Sequence, residues 1–217
     1  MDAEIRIDQY EVDVALAKLS LDRKVLGEAL QAGYLASASC TENDPPNYAG
    51  MSQWARTVRG LRERVLPLGW SKCDARGYST VVDPFGRIAI AVASGCENTG
   101  RNNGKSPTTK SEKGPRTANA VLTNKNQLEL FPETLPPVRI ADEGQDKLTY
   151  ILLFHRDRAE IRAELSLPAS MGSDGHINGW AERIILATQP LDPMPADVAP
   201  DFAPQPAVEI RRKGDVA

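Results

Sequence analysis

The sequence predicts an α+β protein in which N-terminal helices pack on a mostly antiparallel sheet of about five strands. Apolar residues recur at helical spacing in the first third of the chain, and two β-rich runs then meet at a turn that contains proline and glycine. Three further β-rich runs lie between residues 148 and 187. Few strand-helix-strand connections are evident, which argues against a doubly wound parallel sheet.

Composition places the chain among globular proteins. Its 217 residues are 41% hydrophobic and 25% charged, with a formal charge of −3, so one domain with appendages is expected. The acidic start and the lack of a long apolar run predict a cytoplasmic protein without membrane contact. Cys40, Cys73 and Cys96 lie far apart, which predicts reduced, partly buried thiols rather than disulfides or a zinc site.

A helical layer is predicted over residues 11–66. Apolar spacing between residues 11 and 38 indicates two helices or one kinked helix, with Asp22 as the cap of the second part. After a turn-rich segment, another helix is expected to begin with Ser52 as its N-cap and to end near Leu66. Its buried stripe is predicted to consist of Trp54, Val58, Leu61 and Val65.

The sheet is predicted over residues 78–187. The sequence Asp83-Pro84-Phe85-Gly86 is expected to close a hairpin, because proline presets the turn and glycine accepts a positive φ. The next strand places Ile and Val on one face and Ala on the other. Later strands are predicted at 148–154, 159–167 and 181–187. The second of these alternates apolar and polar residues, as a strand with one solvated face does.

Two segments contain few apolar residues. Residues 95–117 are predicted to form a long polar surface loop, which is usually functional or disordered. In the tail at 189–217, residues 189–206 contain six prolines, a composition typical of linkers. The sequence AVEIRRK (207–213) is a candidate edge strand. The chain is therefore interpreted as a single domain over 1–188 followed by a Pro-rich tail.

No motif identifies a reaction. A phosphate-binding loop needs Gly, four residues and then Gly-Lys-Ser, and Gly95, Gly100 and Gly104 do not provide that spacing. The two histidines, His155 and His176, lie in different segments and outside any metal-ligand pattern. No cofactor and no metal site is predicted, and catalytic residues remain unassigned.

An enzyme of unassigned chemistry is one open alternative. It would use the 95–117 loop as a substrate lid over a cleft beside Glu97, Lys105 or Glu164. Glu160 and Glu164 also share a strand face with Arg162, a set that suits a magnesium ion or an acid-base pair. A solvated face with weak ion pairs is the favoured interpretation of these three side chains.

A nucleic-acid-binding protein is a second alternative. Arg56, Arg59 and Arg62 are expected on one exposed side of the predicted helix, where guanidinium groups can bind phosphates. Glu63 lies among them and the chain is acidic overall. A solvated helix face is therefore favoured over a nucleic-acid site.

The stretch NKNQLELFPETLPP places an apolar cluster between the polar loop and a run of prolines. Within it, Gln127, Leu128, Leu130 and Phe131 resemble the short peptide by which bacterial DNA polymerases and repair proteins dock on the replicative sliding clamp. Glu129 stands where Ser or Asp is usual. In that family the glutamine hydrogen-bonds at the rim of a pocket, and the leucine and phenylalanine fill an apolar hole.

The resemblance covers five of the 217 residues. It implies an accessory protein of bacterial or mobile-element DNA metabolism whose partner is the sliding clamp. This function requires residues 127–131 to be displayed to solvent, and the adjacent polar loop and prolines favour display. The alternative is that the segment forms a strand or short helix that closes the protein's own core.

Overall fold

A computed structural model describes residues 3–130 and 147–191. Within these residues, four α-helices and one mixed sheet of eight strands form an α+β fold. The helices are α1 (Gln9–Lys18), α2 (Arg23–Ala38), α3 (Tyr48–Val65) and α4 (Pro115–Leu130). The strands are β1 (Glu4–Arg6), β2 (Ser71–Cys73), β3 (Thr80–Val82), β4 (Ile88–Ser94), β5 (Leu148–Arg156), β6 (Glu160–Met171), β7 (Ile177–Ile185) and β8 (Gln189–Pro190).

The strand order is β1-β7-β6-β5-β4-β3-β2, and β8 also pairs with β6. Strands β1 and β7 are parallel, as are β4 and β5. The predicted α+β class is confirmed, but the sheet is larger than five strands and is mixed rather than mostly antiparallel. The unpredicted strands β1, β2 and β8 contain only two or three residues each, too few to show a periodic pattern.

The predicted break in the first helical segment is confirmed. Ser20 has a φ of +57°, and the Asp22 carboxylate accepts a 2.7 Å hydrogen bond from the Val25 N–H at the start of α2. The predicted N-cap at Ser52 is wrong, because α3 already begins at Tyr48 and Ser52 lies within it. The hydroxyl of Ser52 instead donates to the Ala36 carbonyl of α2.

The buried stripe of α3 is confirmed at Val58, Leu61 and Val65, which pack in the larger core between the helices and the sheet. Trp54 differs, since its side chain remains 39% exposed. Its indole N–H donates a 3.0 Å hydrogen bond to the Val92 carbonyl of β4, beyond the last residue that pairs with β3. The indole therefore satisfies a strand carbonyl at the margin of the core.

The hairpin between β3 and β4 is confirmed. The Asp83 carboxylate accepts hydrogen bonds from the N–H groups of Arg87 and Ile88, and Gly86 has a φ of +67°. The predicted division of β4 is also confirmed. Its Ile and Val residues lie in the core beneath α1–α3, whereas Ala91 and Ala93 lie in the smaller core on the other face.

The second face of the sheet is covered, so the predicted solvated face of β6 is wrong. Every residue from 161 to 168 in β6 is buried. The segment that follows β4 folds over this face, where Trp180 of β7 donates to the Pro107 carbonyl at 2.8 Å and Thr109 is only 1% exposed. The predicted 95–117 loop is thus folded over the sheet, and its last residues already belong to α4. Residues 95–114 are called the covering segment below.

Helix α4 forms the connection between the parallel strands β4 and β5. Such a crossover accounts for the parallel pair that the sequence analysis did not predict. None of the helices in the described residues is long and apolar enough to cross a membrane. The three cysteines are free thiols of intermediate exposure, as predicted. The candidate edge strand at 207–213 lies outside the described residues.

Candidate functional site

A buried asparagine fixes the position of α4 on the sheet. The side-chain amide of Asn124 donates to the carbonyls of Thr149 in β5 and Pro168 in β6, at 3.0 and 2.9 Å. Its carbonyl accepts from the Thr149 N–H at 2.7 Å. Pro168 lies at a register irregularity between β6 and β7, and Asn124 bonds its carbonyl there. Asn124 is fully buried, so α4 is anchored nearly two turns before its C-terminus.

The segment that resembles the clamp-binding peptide, residues 127–131, begins three residues after this anchor. Gln127–Leu130 form the last turn of α4, so the described part of the segment is helical. Gln127 and Leu128 are partly buried, Glu129 is exposed, and Leu128 packs against the larger core. Phe131 lies outside the described residues. Display of the whole pentapeptide therefore stays a prediction.

The electrostatics of this last turn disfavour the helix. The C-terminal carbonyls of a helix lack intrahelical partners and carry a partial negative charge. The last turn of α4 has no basic residue, and Glu129 adds a negative charge there. Lys125 compensates for this charge in part: its Nζ is 3.9 Å from Glu129 Oε1, with both side chains 60% exposed. An exposed pair of this kind contributes only a few tenths of a kcal/mol.

The arginines predicted for nucleic-acid binding lie on α3, but two of the three are paired with carboxylates. Arg59 Nε is 2.6 Å from Glu63 Oε1, and Arg62 Nη2 is 2.6 Å from Asp74 Oδ1. The Arg59 hydrogen bond lowers the pKa of Glu63, and that of Arg62 lowers the pKa of Asp74. Only Arg56 has no ion pair within 4.0 Å among the described residues. The three side chains thus form a largely neutralised surface.

Glu164 is the centre of a buried polar network rather than part of a solvated face. It is 0% exposed and forms a two-pronged ion pair with Arg183 of β7, at 2.6 and 3.1 Å. Its carboxylate also accepts from the Gly100 N–H and the Ser166 hydroxyl, both at 2.9 Å. The Arg183 guanidinium in turn donates to the Arg101 carbonyl at 3.0 Å. The network fastens the covering segment to the sheet.

The remaining residues of the predicted acid-base set and of the predicted lid are held by ion pairs or are exposed. Arg162 is 3% exposed and forms ion pairs with Glu160 and Asp157, at 3.2 and 3.6 Å. Lys105 is exposed at the outer side of the covering segment. No group of three or more His, Cys, Asp or Glu side chains in the described part of the chain could hold a metal ion.

One thiol of the covering segment has a shifted pKa. Burial raises the pKa of Cys96, but hydrogen bonds from the N–H groups of Thr108 and Asn98 outweigh burial and lower the pKa overall. The Thr108 N–H lies 3.3 Å from the sulfur. Backbone donors of this kind stabilise a thiolate.

Sequence analysis missed several residues that shape this site. The anchoring role of Asn124 had no sequence signal, because an asparagine within a polar stretch is typical of a loop. Arg183 occupies an ordinary polar position of a strand. A groove between α2 and α3 was also missed, since it depends on how the two helices cross. No family model, curated protein or solved structure matches the chain.

Proposed function

We propose that the chain is an accessory protein of bacterial or mobile-element DNA metabolism that docks on the replicative sliding clamp through residues 127–131. The observation that carries the proposal is the match of Gln127, Leu128, Leu130 and Phe131 to the clamp-binding peptide. The four residue types suit a pocket with a polar rim and an apolar floor. The partner is a protein surface, and the function is tethering rather than catalysis.

The position of the segment supports this proposal. It begins three residues after the Asn124 anchor, in a helical turn that carries an unfavourable Glu129. Terminal helical turns open at a small fraction of the free energy of global unfolding. The segment can therefore unwind for docking while the rest of α4 stays bound to the sheet.

The cost of unwinding is compatible with specific binding. Releasing a partly buried leucine such as Leu128 costs about 1 kcal/mol, roughly half of a full burial. Opening the last helical turn adds about 1 kcal/mol. A total of about 2 kcal/mol would weaken the apparent affinity by about 30-fold relative to a free peptide. An interaction of micromolar strength tolerates such a loss.

The geometry gives less support to the two alternatives. A lid that opens and closes does not suit a covering segment whose Gly100 and Arg101 backbones bond the buried Glu164–Arg183 pair. Phosphate binding by α3 would have to compete with the carboxylates that hold Arg59 and Arg62. Tethering through the end of α4 does not disturb either arrangement.

The test is a direct binding measurement between the full chain and a bacterial sliding clamp. The variant Gln127→Ala/Phe131→Ala removes the rim contact and the aromatic anchor. We expect at least about 100-fold weaker binding, because each anchor of a small interface contributes 2 kcal/mol or more. The matched control is Leu122→Ala/Asn126→Ala, which alters two exposed side chains earlier on the same helix. The control should bind as the unmodified chain does.

A competing clamp-binding peptide should displace the chain from the clamp in the same assay. Circular dichroism of both variants establishes that the fold is retained. Equal binding of the two double variants, or no binding of the unmodified chain at micromolar concentration, would overturn the proposal.

A further inference from the structure

A groove of about 640 Å³ lies between α2 and α3 and is open to solvent. The Ser52 hydroxyl of α3 bonds the Ala36 carbonyl of α2, and an added Cβ at Gly60 would lie 3.2 Å from the Cβ of Ala32. Later residues of α3 thus meet earlier residues of α2, so the two helices are antiparallel. The groove therefore has one end at the loop that joins the helices and the other end beside Gly60.

Apolar side chains at this groove are exposed to solvent. Leu35 of α2 and Tyr48 of α3, which both line it, are 58% and 48% exposed. Met51, one turn after Tyr48 on α3, is 64% exposed. Exposed apolar side chains grouped in this way are typical of a surface that binds another protein.

The charges that line the groove balance, but they are separated along it. Glu63 and Arg59 bind each other at 2.6 Å. Asp44 and Arg56 also line the groove, and neither forms an ion pair within 4.0 Å in the part of the chain that the structure describes. Asp44 precedes α3 and so lies at the loop end, whereas Arg56 lies about 12 Å along α3 from its first residue.

This arrangement of charges is self-complementary. In a two-fold contact a surface meets its own copy, and an axis perpendicular to the groove reverses the groove's direction. The loop end of one groove then faces the Gly60 end of the other. When the axis passes between Asp44 and Arg56, Asp44 of each copy faces Arg56 of the other. Both unpaired charges thereby gain a partner, and the contact carries no net charge.

The size of the surface determines the strength of such a contact. The groove-lining part of α3 extends from Tyr48 to Glu63, about 22 Å, and two adjacent helices are about 20 Å wide. Each copy therefore contributes about 450 Å², and the two together bury about 900 Å². Interfaces of this size are typical of weak, transient complexes. A dissociation constant in the micromolar range is expected.

We propose that the chain forms a two-fold homodimer of micromolar affinity through the surface of α2 and α3 at this groove. Asp44 of each copy pairs with Arg56 of the other, and the side chains of Leu35, Tyr48 and Met51 cover one another across the axis. The dimer is independent of clamp docking, because no described residue of α4 lines the groove.

Sedimentation velocity of the full chain measures this association. The weight-average mass should rise from that of a monomer at low micromolar concentration toward twice that value at high micromolar concentration, and no further. A monomer throughout this range would overturn the proposal. Masses beyond that of a dimer would overturn it as well, because a two-fold contact closes on itself.

Charge reversal locates the interface. Asp44→Arg replaces both attractions in the dimer by repulsions between arginines, and Arg56→Asp replaces both by repulsions between carboxylates. Each variant alone should dimerise at least about tenfold more weakly than the unmodified chain. An equimolar mixture of the two variants should recover the affinity, since every pair across the axis again joins opposite charges. Recovery also establishes that both variants are folded.

Two matched controls make the same charge changes elsewhere. Glu97→Arg and Lys105→Asp alter exposed positions of the covering segment. Neither should change the dissociation constant. Dimerisation that survives Asp44→Arg, or a mixture that stays as weak as the single variants, would show that the two copies do not meet at this groove and would overturn the proposal.

Discussion

Replacement of Asn124 by alanine provides a quantitative test of how α4 is held. The substitution removes three hydrogen bonds, two to the carbonyls of Thr149 and Pro168 and one from the Thr149 N–H. All three involve the fully buried side chain of Asn124. The alanine leaves these backbone groups without a partner in a site that water does not reach.

The expected loss of stability follows from these contacts. Each buried hydrogen bond contributes about 1 kcal/mol, and a buried backbone group left unsatisfied costs about 1–3 kcal/mol. Relaxation of the site recovers part of this cost, so we expect a decrease of about 3–4 kcal/mol in the free energy of unfolding. For a domain of this size the corresponding decrease in Tm is about 10 °C.

Urea unfolding followed by circular dichroism measures this change, and scanning calorimetry measures the shift in Tm. The matched control is Asn126→Ala, which makes the same chemical change at an exposed position two residues further along α4. It should alter the free energy of unfolding by less than about 0.5 kcal/mol. If the Asn124 and Asn126 variants were equally stable, the asparagine would not anchor the helix and the reasoning would be refuted.

Three further predictions concern the covering segment and the strands beneath it. Gly100→Ala should lower the free energy of unfolding by about 2 kcal/mol or more, since φ is +68° and the new Cβ would lie 2.9 Å from the Cβ of Arg162. Gly104→Ala, at a φ of +76° but in open space, should cost only about 1 kcal/mol in the same urea titration, and equal losses would contradict the steric argument. Burial raises the pKa of Tyr78 from 10.0 to about 12, so its stabilisation is fully present below pH 10 and is lost as pH rises through 12. Tyr78→Phe should therefore reduce the decline in stability over that interval by about 2 kcal/mol, and an unchanged decline would exclude this cause. The alkylation rate of Cys96 should show a pH midpoint below 9.0, and a midpoint at or above that value would contradict the effect of the backbone donors.

The features that the sequence predicts correctly depend on neighbouring residues. Asp22 caps α2 because its own side chain reaches the Val25 N–H. The turn at Asp83 forms because proline, glycine and the aspartate carboxylate act within six residues. The two faces of β4 follow from strict alternation along one strand. Each of these structures is determined by residues within a few positions of one another in the sequence.

The features that the sequence fails to predict depend on contacts between distant segments. The alternating residues of β6 have the pattern of a half-solvated strand, yet Glu164 is buried because residues 95–114 fold back over it. Helix α4 contains three asparagines and only weak apolar periodicity, so it has the composition of a loop. Its helical state is supported by the contacts of Asn124 and Val121 with strands formed from distant parts of the chain. Tertiary contacts therefore override the local preference.

The contrast between local sequence and tertiary contacts also applies to residues 127–131, which resemble the clamp-binding peptide. A short motif specifies the side chains that a partner would bind, but the fold determines the free energy required to present them. Here the strong anchor at Asn124 precedes the motif, and within the described residues the motif itself is held to the core through the partly buried Leu128. In the proposed docking, opening would be confined to the last turn of α4, and its cost would be set by one leucine and one helical turn rather than by the whole helix. A segment placed one turn earlier would have to break the Asn124 hydrogen bonds, whose loss costs about as much as two orders of magnitude in affinity. If the proposed docking occurs, the position of the motif as well as its composition therefore keeps the free energy of presenting it low.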